Sequence, residues 1–148
     1  MELTNRVIVV TGGARGIGYA MARRFKSAQA RAVVIADVDI ERAEASAREI
    51  DAVAVRCDVS READVQQLID QVETKHGPID LFCSNAGIAV GGGADAADRD
   101  WQRIWEVNVM AHVYVARHAL PRMLERKSGY LLATVSDAAL LNHLFAAP

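Results

Sequence analysis

The stretch Thr11-Gly12-Gly13-Ala14-Arg15-Gly16-Ile17-Gly18 decides the fold, because it separates a β-branched run from a helix-period segment. The run before it, residues 6–11 (RVIVVT), is typical of a buried strand, and apolar residues recur at helical spacing from Ile17 onward. Glycines here permit a sharp turn, close approach of the backbone to a bound group, and tight helix–strand packing. The first N–H groups of the helix then attract a diphosphate. A glycine-rich turn without a ligand is the alternative. The interpretation we favour is a dinucleotide site formed by Gly12, Arg15, Gly16, Ile17 and Gly18, with the spacing G-x-x-x-G-x-G rather than the standard G-x-G-x-x-G.

Strand-like and helix-like segments alternate along the whole chain. Four more short apolar runs follow the first, at residues 31–37, 51–57, 79–84 and 130–136. Runs without strict alternation of apolar and polar residues fit strands buried on both faces of a parallel sheet. Helix-period segments fill the gaps, so the sequence predicts βαβ units in one α/β domain over residues 1–148.

Two of the predicted helices have a well-defined apolar stripe. After Ser60, the expected N-cap, Val65, Leu68, Ile69 and Val72 recur at helical spacing. A longer helix is predicted over residues 98–126, with its stripe formed by Trp105, Val109, Val113, Ala116 and Leu120. Pro121 is expected to kink this helix or to end its regular hydrogen bonding.

An acidic residue ends the second predicted strand. Asp37 lies nineteen residues after Gly18, where a carboxylate can accept hydrogen bonds from both hydroxyl groups of an adenosine ribose and would repel a 2′-phosphate. Val38 and Asp39, which follow it, are not basic, and this favours NAD over NADP. Arg15 in the glycine turn leaves NADP open. Asp37 is also a candidate N-cap for the next helix, a position for which Asp39 competes.

Composition excludes several classes of protein. Seventeen Lys and Arg against nineteen Asp and Glu give a formal charge of −2, which argues against binding nucleic acid through a general positive field. The sequence has neither an apolar run of membrane-spanning length nor the pattern of a signal peptide. Cys57 and Cys83 are too sparse for a disulfide framework, and the four histidines lack metal-ligand spacing. We expect a cytoplasmic protein without a metal.

Several motifs in order resemble the short-chain dehydrogenase/reductase family. T-G-x-x-x-G-x-G at residues 11–18 is similar to that family's cofactor turn. Asp58-Val59 is similar to its adenine-contacting pair, and residues 84–87 resemble its N-N-A-G segment, with Ser84 in place of the first Asn and with Asn85, Ala86 and Gly87 lining the cofactor cleft. The resemblance covers essentially all 148 residues and implies a Rossmann-type doubly wound sheet with the strand order 3-2-1-4-5.

The resemblance also implies two catalytic residues. Asn108 matches the family's catalytic Asn in a V-N-V setting, where it would hold a water molecule, and Ser136 ends the fifth-strand motif and would polarise the substrate oxygen. The family's Tyr of Tyr-x-x-x-Lys lies thirteen positions after that Ser, which gives position 149, one past Pro148. We therefore expect the chain to be the N-terminal portion of a longer enzyme, without the family's later strands.

The predicted function is NAD(P)-dependent hydride transfer between nicotinamide and an alcohol or ketone, with a Tyr and Lys pair expected beyond residue 148. A truncated, non-catalytic dinucleotide-binding module is the alternative. The expected partners are a small alcohol or carbonyl substrate and, for the complete protein, further copies in a homodimer or homotetramer. Neither nucleic acid nor a membrane is expected as a partner. The substrate is not readable from this sequence.

Overall fold

Five parallel strands form one sheet in the computed structural model, which describes residues 1–93 and 95–136. The strands are β1 (Val7–Thr11), β2 (Ala32–Asp37), β3 (Val53–Arg56), β4 (Leu81–Ser84) and β5 (Tyr130–Ala133). Their order is β3-β2-β1-β4-β5, and every neighbouring pair is parallel. The predicted doubly wound sheet and its strand order are confirmed.

Helices cover both faces of this sheet. They are α1 (Gly16–Ser27), α2 (Ile40–Glu49), α3 (Glu62–His76), α4 (Asp98–Trp105) and α5 (Ala111–Glu125), with a π-helical segment, Glu106–Met110, between α4 and α5. Small and apolar residues of α1 and α2 pack on one face of the sheet, and those of α3 and α5 pack on the other. The order of the strands reverses between β1 and β4, so the carboxyl ends of these two strands flank the crevice where such sheets bind ligands.

The buried faces of three helices test the apolar stripes. In α3, all four predicted residues are buried. Of the apolar residues predicted along α1, Ile17 is 66% exposed, whereas Met21 packs on the sheet together with Ala22 and Phe25. In the long helical region, the buried residues are Val107, Ala111, Val115, Ala119 and Met123, so the predicted stripe lies largely on the exposed side.

One local prediction about a helix end was wrong. Ser60 is not the N-cap of α3, because the helix begins one residue later with Arg61 at the cap, and the Ser60 hydroxyl donates to Asp58 instead. Pro121 lies inside α5, which continues to Glu125, and its lack of an N–H leaves one position without the regular helical hydrogen bond. A second irregularity in this region is the π-helical segment, which contains Asn108.

Candidate functional site

One cavity of about 380 Å3 lies at the carboxyl ends of the strands. The glycine turn, the ends of β2 and β3 and the segment after β4 all contribute to its walls. All eleven residues proposed from the sequence as cofactor contacts line it: Gly12, Arg15, Gly16, Ile17, Gly18, Asp37, Asp58, Val59, Asn85, Ala86 and Gly87. Its size and its mixture of apolar surface and few polar groups are typical of a small-molecule site.

The glycine turn needs its glycines for different reasons. Gly12 has φ +64°, and a Cβ there would lie 2.8 Å from the Cα of Ala86. Gly16 has φ +57°, but a Cβ there would meet nothing within 4 Å, because the residue borders open space. At Gly18 a Cβ would overlap the carbonyl oxygen of Gly12 and lie 2.7 Å from Nδ2 of Asn85. The turn therefore brings α1 against both β1 and the segment that follows β4.

The start of α1 fits an anion. Its N-cap, Arg15, has an extended backbone and makes no side-chain hydrogen bond to the first turn. The first N–H groups of a helix lack partners within the helix, and they carry its positive dipole end. Because Gly16, Ile17 and Gly18 line the cavity, this end of α1 borders the space where a diphosphate would bind.

Asp37 is held beside this turn by two backbone amides. Its Oδ2 accepts from the N–H of Ala14 at 3.1 Å, and its Oδ1 accepts from the N–H of Asp39 at 3.1 Å. The N-cap of α2 is Asp39, whose carboxylate accepts from the N–H of Arg42. Asp37 does not cap α2, so its carboxylate remains at the cavity wall with further lone pairs to offer.

A hydrogen-bond network joins the ends of β1, β4 and β5. The buried hydroxyl of Thr11 accepts from the N–H groups of Asn85 at 3.0 Å and Ala86 at 3.2 Å. The Asn85 amide donates to the carbonyl oxygen of Thr11 at 3.0 Å and accepts from the hydroxyl of Thr134 at 2.9 Å. This network fixes the backbone of Asn85 and Ala86 against the glycine turn.

Replacing Thr11 with valine is expected to lower the free energy of unfolding by about 1–3 kcal/mol, because two backbone N–H groups lose their acceptor. Urea denaturation measures the change. Thr4→Val is the matched control, since the Thr4 hydroxyl makes an exposed 3.4 Å bond to the Ala28 carbonyl, and about 0.5 kcal/mol or less is expected. Equal effects of the two substitutions would contradict this role of Thr11.

Charged and polar groups cluster at the β3 side of the cavity. The Asp58 Oδ1 accepts from the hydroxyl of Ser60 at 2.7 Å, and Arg103 of α4 donates to the same hydroxyl at 2.7 Å. Burial alone would raise the pKa of Asp58, but the hydrogen bonds from Ser60 and the charges of Arg103 and Arg61 outweigh it and lower that pKa. Asp58 is therefore an anion at neutral pH.

Cys57 also lines the cavity. Burial raises the pKa of its thiol to about 12, and the neighbouring carboxylates of Asp64, Asp58 and Asp37 add to the effect. The thiol is consequently neutral near pH 7 and contributes a small apolar surface rather than a nucleophile.

Asn108 lies next to the cavity without lining it. Its Oδ1 accepts from the N–H of Ile88 and its Nδ2 donates to the carbonyl oxygen of Ile88, both at 2.9 Å. The amide thereby fixes a residue of the cavity wall, and it keeps one N–H and one lone pair for another partner. Ser136 follows β5 and is exposed, and it is not among the cavity-lining residues.

Six further residues of the cavity wall were not identified from the sequence: Val38, Cys57, Ile88, Arg103, Val107 and Thr134. Position after a strand could have indicated Val38, Cys57 and Thr134. Arg103 and Val107 come from the long helical region, whose distance from the strand ends no local pattern reveals. Within residues 1–93 and 95–136 no cluster of three His, Cys, Asp or Glu side chains could hold a metal ion. No helix in the same ranges is long and apolar enough to cross a membrane.

Comparison with known proteins gives consistent matches along the chain. Residues 6–147 match the sequence model of the short chain dehydrogenase family. Short chain aldehyde dehydrogenase 1 of Euphorbia lathyris is 38% identical over 149 residues, covering 95% of this chain and 51% of that protein. Meso-2,3-butanediol dehydrogenase of Serratia marcescens is 37% identical over 144 residues, covering 95% of this chain and 57% of that protein.

A solved structure agrees with the fold. The crystal structure of a short chain dehydrogenase/reductase from Burkholderia phymatum in complex with NAD superposes with a TM-score of 0.93 at 31% identity, covering 97% of this chain and 53% of that one. The chain thus spans about half the length of the relatives it matches.

Proposed function

This chain belongs to the short chain dehydrogenase family, and we propose that it binds a nicotinamide dinucleotide for hydride transfer to or from an alcohol or carbonyl substrate. One observation carries the proposal. The start of α1, the Asp37 carboxylate and the Asn85–Gly87 segment line a single cavity at the point where the strand order reverses. Such a crevice is where doubly wound sheets bind dinucleotides.

The residues of the cavity fit the parts of a dinucleotide in order. The first N–H groups of α1 would hold the diphosphate, and Arg15 would add a positive charge beside it. The Asp37 carboxylate would accept from the two hydroxyl groups of the adenosine ribose. Asp58 and Val59, at the end of the next strand outward, would contact the base. The small side chains of the Asn85–Gly87 segment would leave room for the nicotinamide half of the dinucleotide.

NAD is the proposed cofactor rather than NADP. A 2′-phosphate would lie against the Asp37 carboxylate, which backbone amides hold in place, and Val38 beside it offers no positive charge. Two negative charges brought into contact repel each other by several kcal/mol unless a cation lies between them. Arg15 is the side chain that favours the alternative, NADP.

Replacing Asp37 with alanine is expected to weaken NAD binding by roughly 10- to 100-fold, because hydrogen bonds to a charged group are lost, and to reduce the preference for NAD over NADP. Titration calorimetry with both dinucleotides measures the two affinities. Asp39→Asn is the matched control, since asparagine preserves the N-cap of α2 and the ratio of affinities should not change. Tighter binding of NADP than NAD to the unaltered protein would overturn this interpretation of Asp37.

In catalysis, the bound nicotinamide would supply hydride chemistry, and the protein would handle protons and charge. The Ser136 hydroxyl, which follows β5 at the carboxyl edge of the sheet, would donate to the substrate oxygen and stabilise its developing negative charge. Asn108 would act as a positioning residue through Ile88 and would hold a water molecule with its remaining N–H or lone pair. A Tyr and Lys pair beyond residue 148 would transfer the proton.

Further copies of the chain are proposed partners in the complete protein. Large apolar side chains of α4, the π-helical segment and α5 are exposed along one side of this region, among them Trp101, Trp105, Val109, Val113 and Leu120. Covering such a stripe with a second copy would remove apolar surface from water. Sedimentation equilibrium of the intact protein tests this, and a monomer at every concentration would contradict it.

The test of the proposed activity is hydride exchange between NAD(H) and a panel of secondary alcohols and ketones, followed by the absorbance of the reduced nicotinamide. Turnover by the intact protein supports the oxidoreductase. Dinucleotide binding without turnover of any panel member would favour the alternative, a non-catalytic binding module.

A further inference from the structure

A hydrogen-bonded cluster of Arg103, Ser60 and Asp58 lies at the end of the cavity formed by β3. Arg103 donates through Nη1 to the Ser60 hydroxyl at 2.7 Å, and its Nη2 lies 3.7 Å from Oδ1 of Asp58. Ser60 in turn donates to that same Oδ1 through its hydroxyl at 2.7 Å and its backbone N–H at 3.1 Å. All three contacts fall on one oxygen of the Asp58 carboxylate.

Arg103 joins two distant parts of the chain across this cluster. It lies on α4, which has no buried residue, whereas Ser60 and Asp58 lie 43 and 45 positions earlier, between β3 and α3. Arg103 itself lines the cavity beside Asp58 and Val59. Arg103 therefore contacts the Asp58 carboxylate and also borders the cavity in which a ligand would bind.

Two arginines lie near the carboxylates at this end, and both lower the pKa of Asp58. Asp64 accepts from the backbone N–H of Asp58 at 3.1 Å and pairs with Arg61, whose Nε lies 3.5 Å away. Arg103 is the cation that also contacts Ser60: its Nη1 donates to the Ser60 hydroxyl while its Nη2 lies 3.7 Å from Oδ1 of Asp58. A planar guanidinium can reach both groups with separate N–H donors, which the single ammonium of a lysine does less well.

The topology identifies which part of a dinucleotide would reach this cluster, and this step rests on the proposed function. The diphosphate lies at α1, after β1, and the ribose lies at Asp37, after β2. β3 is the next strand outward from β2, so the base lies beyond the ribose at the end of β3. The walls there combine the neutral Cys57, Val59 and Val107 with the Asp58 carboxylate.

We propose that Arg103, with Ser60, is a specificity-determining positioning residue that selects the amino group of adenine. By holding Oδ1 of Asp58, the pair orients Oδ2 of the same carboxylate to accept from the exocyclic N–H of the base. A base with a keto oxygen at that position would instead place an acceptor against an anion. Loss of the hydrogen bond and repulsion both act against the wrong base.

The experiment compares NAD with nicotinamide hypoxanthine dinucleotide, in which a keto oxygen replaces the amino group. Titration calorimetry of the intact protein is expected to give a preference for NAD of roughly 10- to 100-fold. In Arg103→Ala the preference for NAD should fall below about 3-fold, while the affinity for free nicotinamide mononucleotide, which lacks the adenosine half, should not change. Arg103→Lys, which keeps the charge without the fork, should restore only part of the preference.

Arg99→Ala is the matched control. Arg99 lies on the same helix but is 3.8 Å from Asp100 and highly exposed, so the preference should remain that of the unaltered protein. Should Arg103→Ala fail to fold, as judged by thermal denaturation, Ser60→Ala serves as the second variant, because it removes the hydroxyl that joins Arg103 to Asp58.

The outcomes separate this inference from the proposed function. A preference retained in Arg103→Ala or, where that variant does not fold, in Ser60→Ala would overturn the role of Arg103 while leaving the dinucleotide site intact. Equal affinities of the unaltered protein for the two dinucleotides would overturn it as well. Binding of neither dinucleotide would contradict the proposed function, and with it this inference.

Discussion

Replacing Gly18 with alanine is expected to abolish measurable dinucleotide binding and to lower the free energy of unfolding by about 3 kcal/mol or more. The added Cβ would overlap the carbonyl oxygen of Gly12 and approach Nδ2 of Asn85 to 2.7 Å. Because the Gly12 carbonyl oxygen is a backbone atom, the clash is relieved only by moving α1 away from β1. That movement displaces the N–H groups proposed to hold the diphosphate. Urea denaturation and titration calorimetry measure the two effects.

Gly91→Ala provides the control for the Gly18 substitution. A Cβ at Gly91 would meet nothing within 4 Å, and its φ lies outside the left-handed region. Stability and affinity should therefore be those of the unaltered protein. If Gly18→Ala bound dinucleotide as tightly as Gly91→Ala, the close contact between α1 and the Gly12 carbonyl would not be what forms the site.

Replacing Ser136 with alanine is expected to lower kcat of the activity proposed for the intact protein by roughly 100- to 1,000-fold, the usual cost of removing one donor to a developing oxyanion. The affinity for the dinucleotide should change by about twofold or less, since the hydroxyl is proposed to contact substrate. Steady-state kinetics and calorimetry separate the two quantities. The pH dependence of kcat should retain its shape, because the proton donor is proposed to lie elsewhere.

Ser128→Ala is the comparison for Ser136. Ser128 is also exposed, but it precedes β5 and so lies at the opposite end of that strand from the cavity. Its removal should leave kcat unchanged. Unchanged turnover in Ser136→Ala would remove Ser136 from the mechanism without affecting the proposed cofactor site.

The sheet was predictable from the sequence because a short apolar run marks each of its strands. The apolar run of β1 ends at Thr11, and the glycines that follow force the turn into α1.

At the end of β2, the short distance in sequence between Asp37 and Asp39 left two candidates for the N-cap of α2. The structure resolves the ambiguity, since Asp39 has the geometry to accept from the N–H of Arg42.

The faces of the long helical region were not predictable from hydrophobicity. Apolar residues occur on both sides of it, and the larger ones, such as Trp105 and Leu120, are exposed. The buried side contains smaller residues, including Ala111, Val115 and Ala119, because α5 packs closely on α3 and the sheet. The π-helical segment also interrupts the regular helical period between α4 and α5, and no residue type in this segment predicts the interruption.

The cavity was predicted in part for a similar reason. Residues that follow strands lie at the carboxyl edge of a parallel sheet, so Asp37 was identified from its position, and Asp58 and Asn85 were identified from the family motifs that they resemble. Arg103 was not, because its contact with Ser60 joins residues 43 positions apart and depends on the tertiary placement of α4. Ser60 is a natural N-cap prediction because a serine just before a helix-period stripe is typical of that position, but the Asp58 carboxylate, two residues earlier, accepts its hydroxyl instead.

Titration calorimetry of the intact protein with NAD and with NADP tests the central claim most directly. The diphosphate and ribose contacts proposed at α1 and Asp37 predict saturable binding at one site per chain, with NAD bound more tightly than NADP. Absence of binding heat with both dinucleotides, confirmed by the absence of any shift in thermal denaturation, would contradict the account.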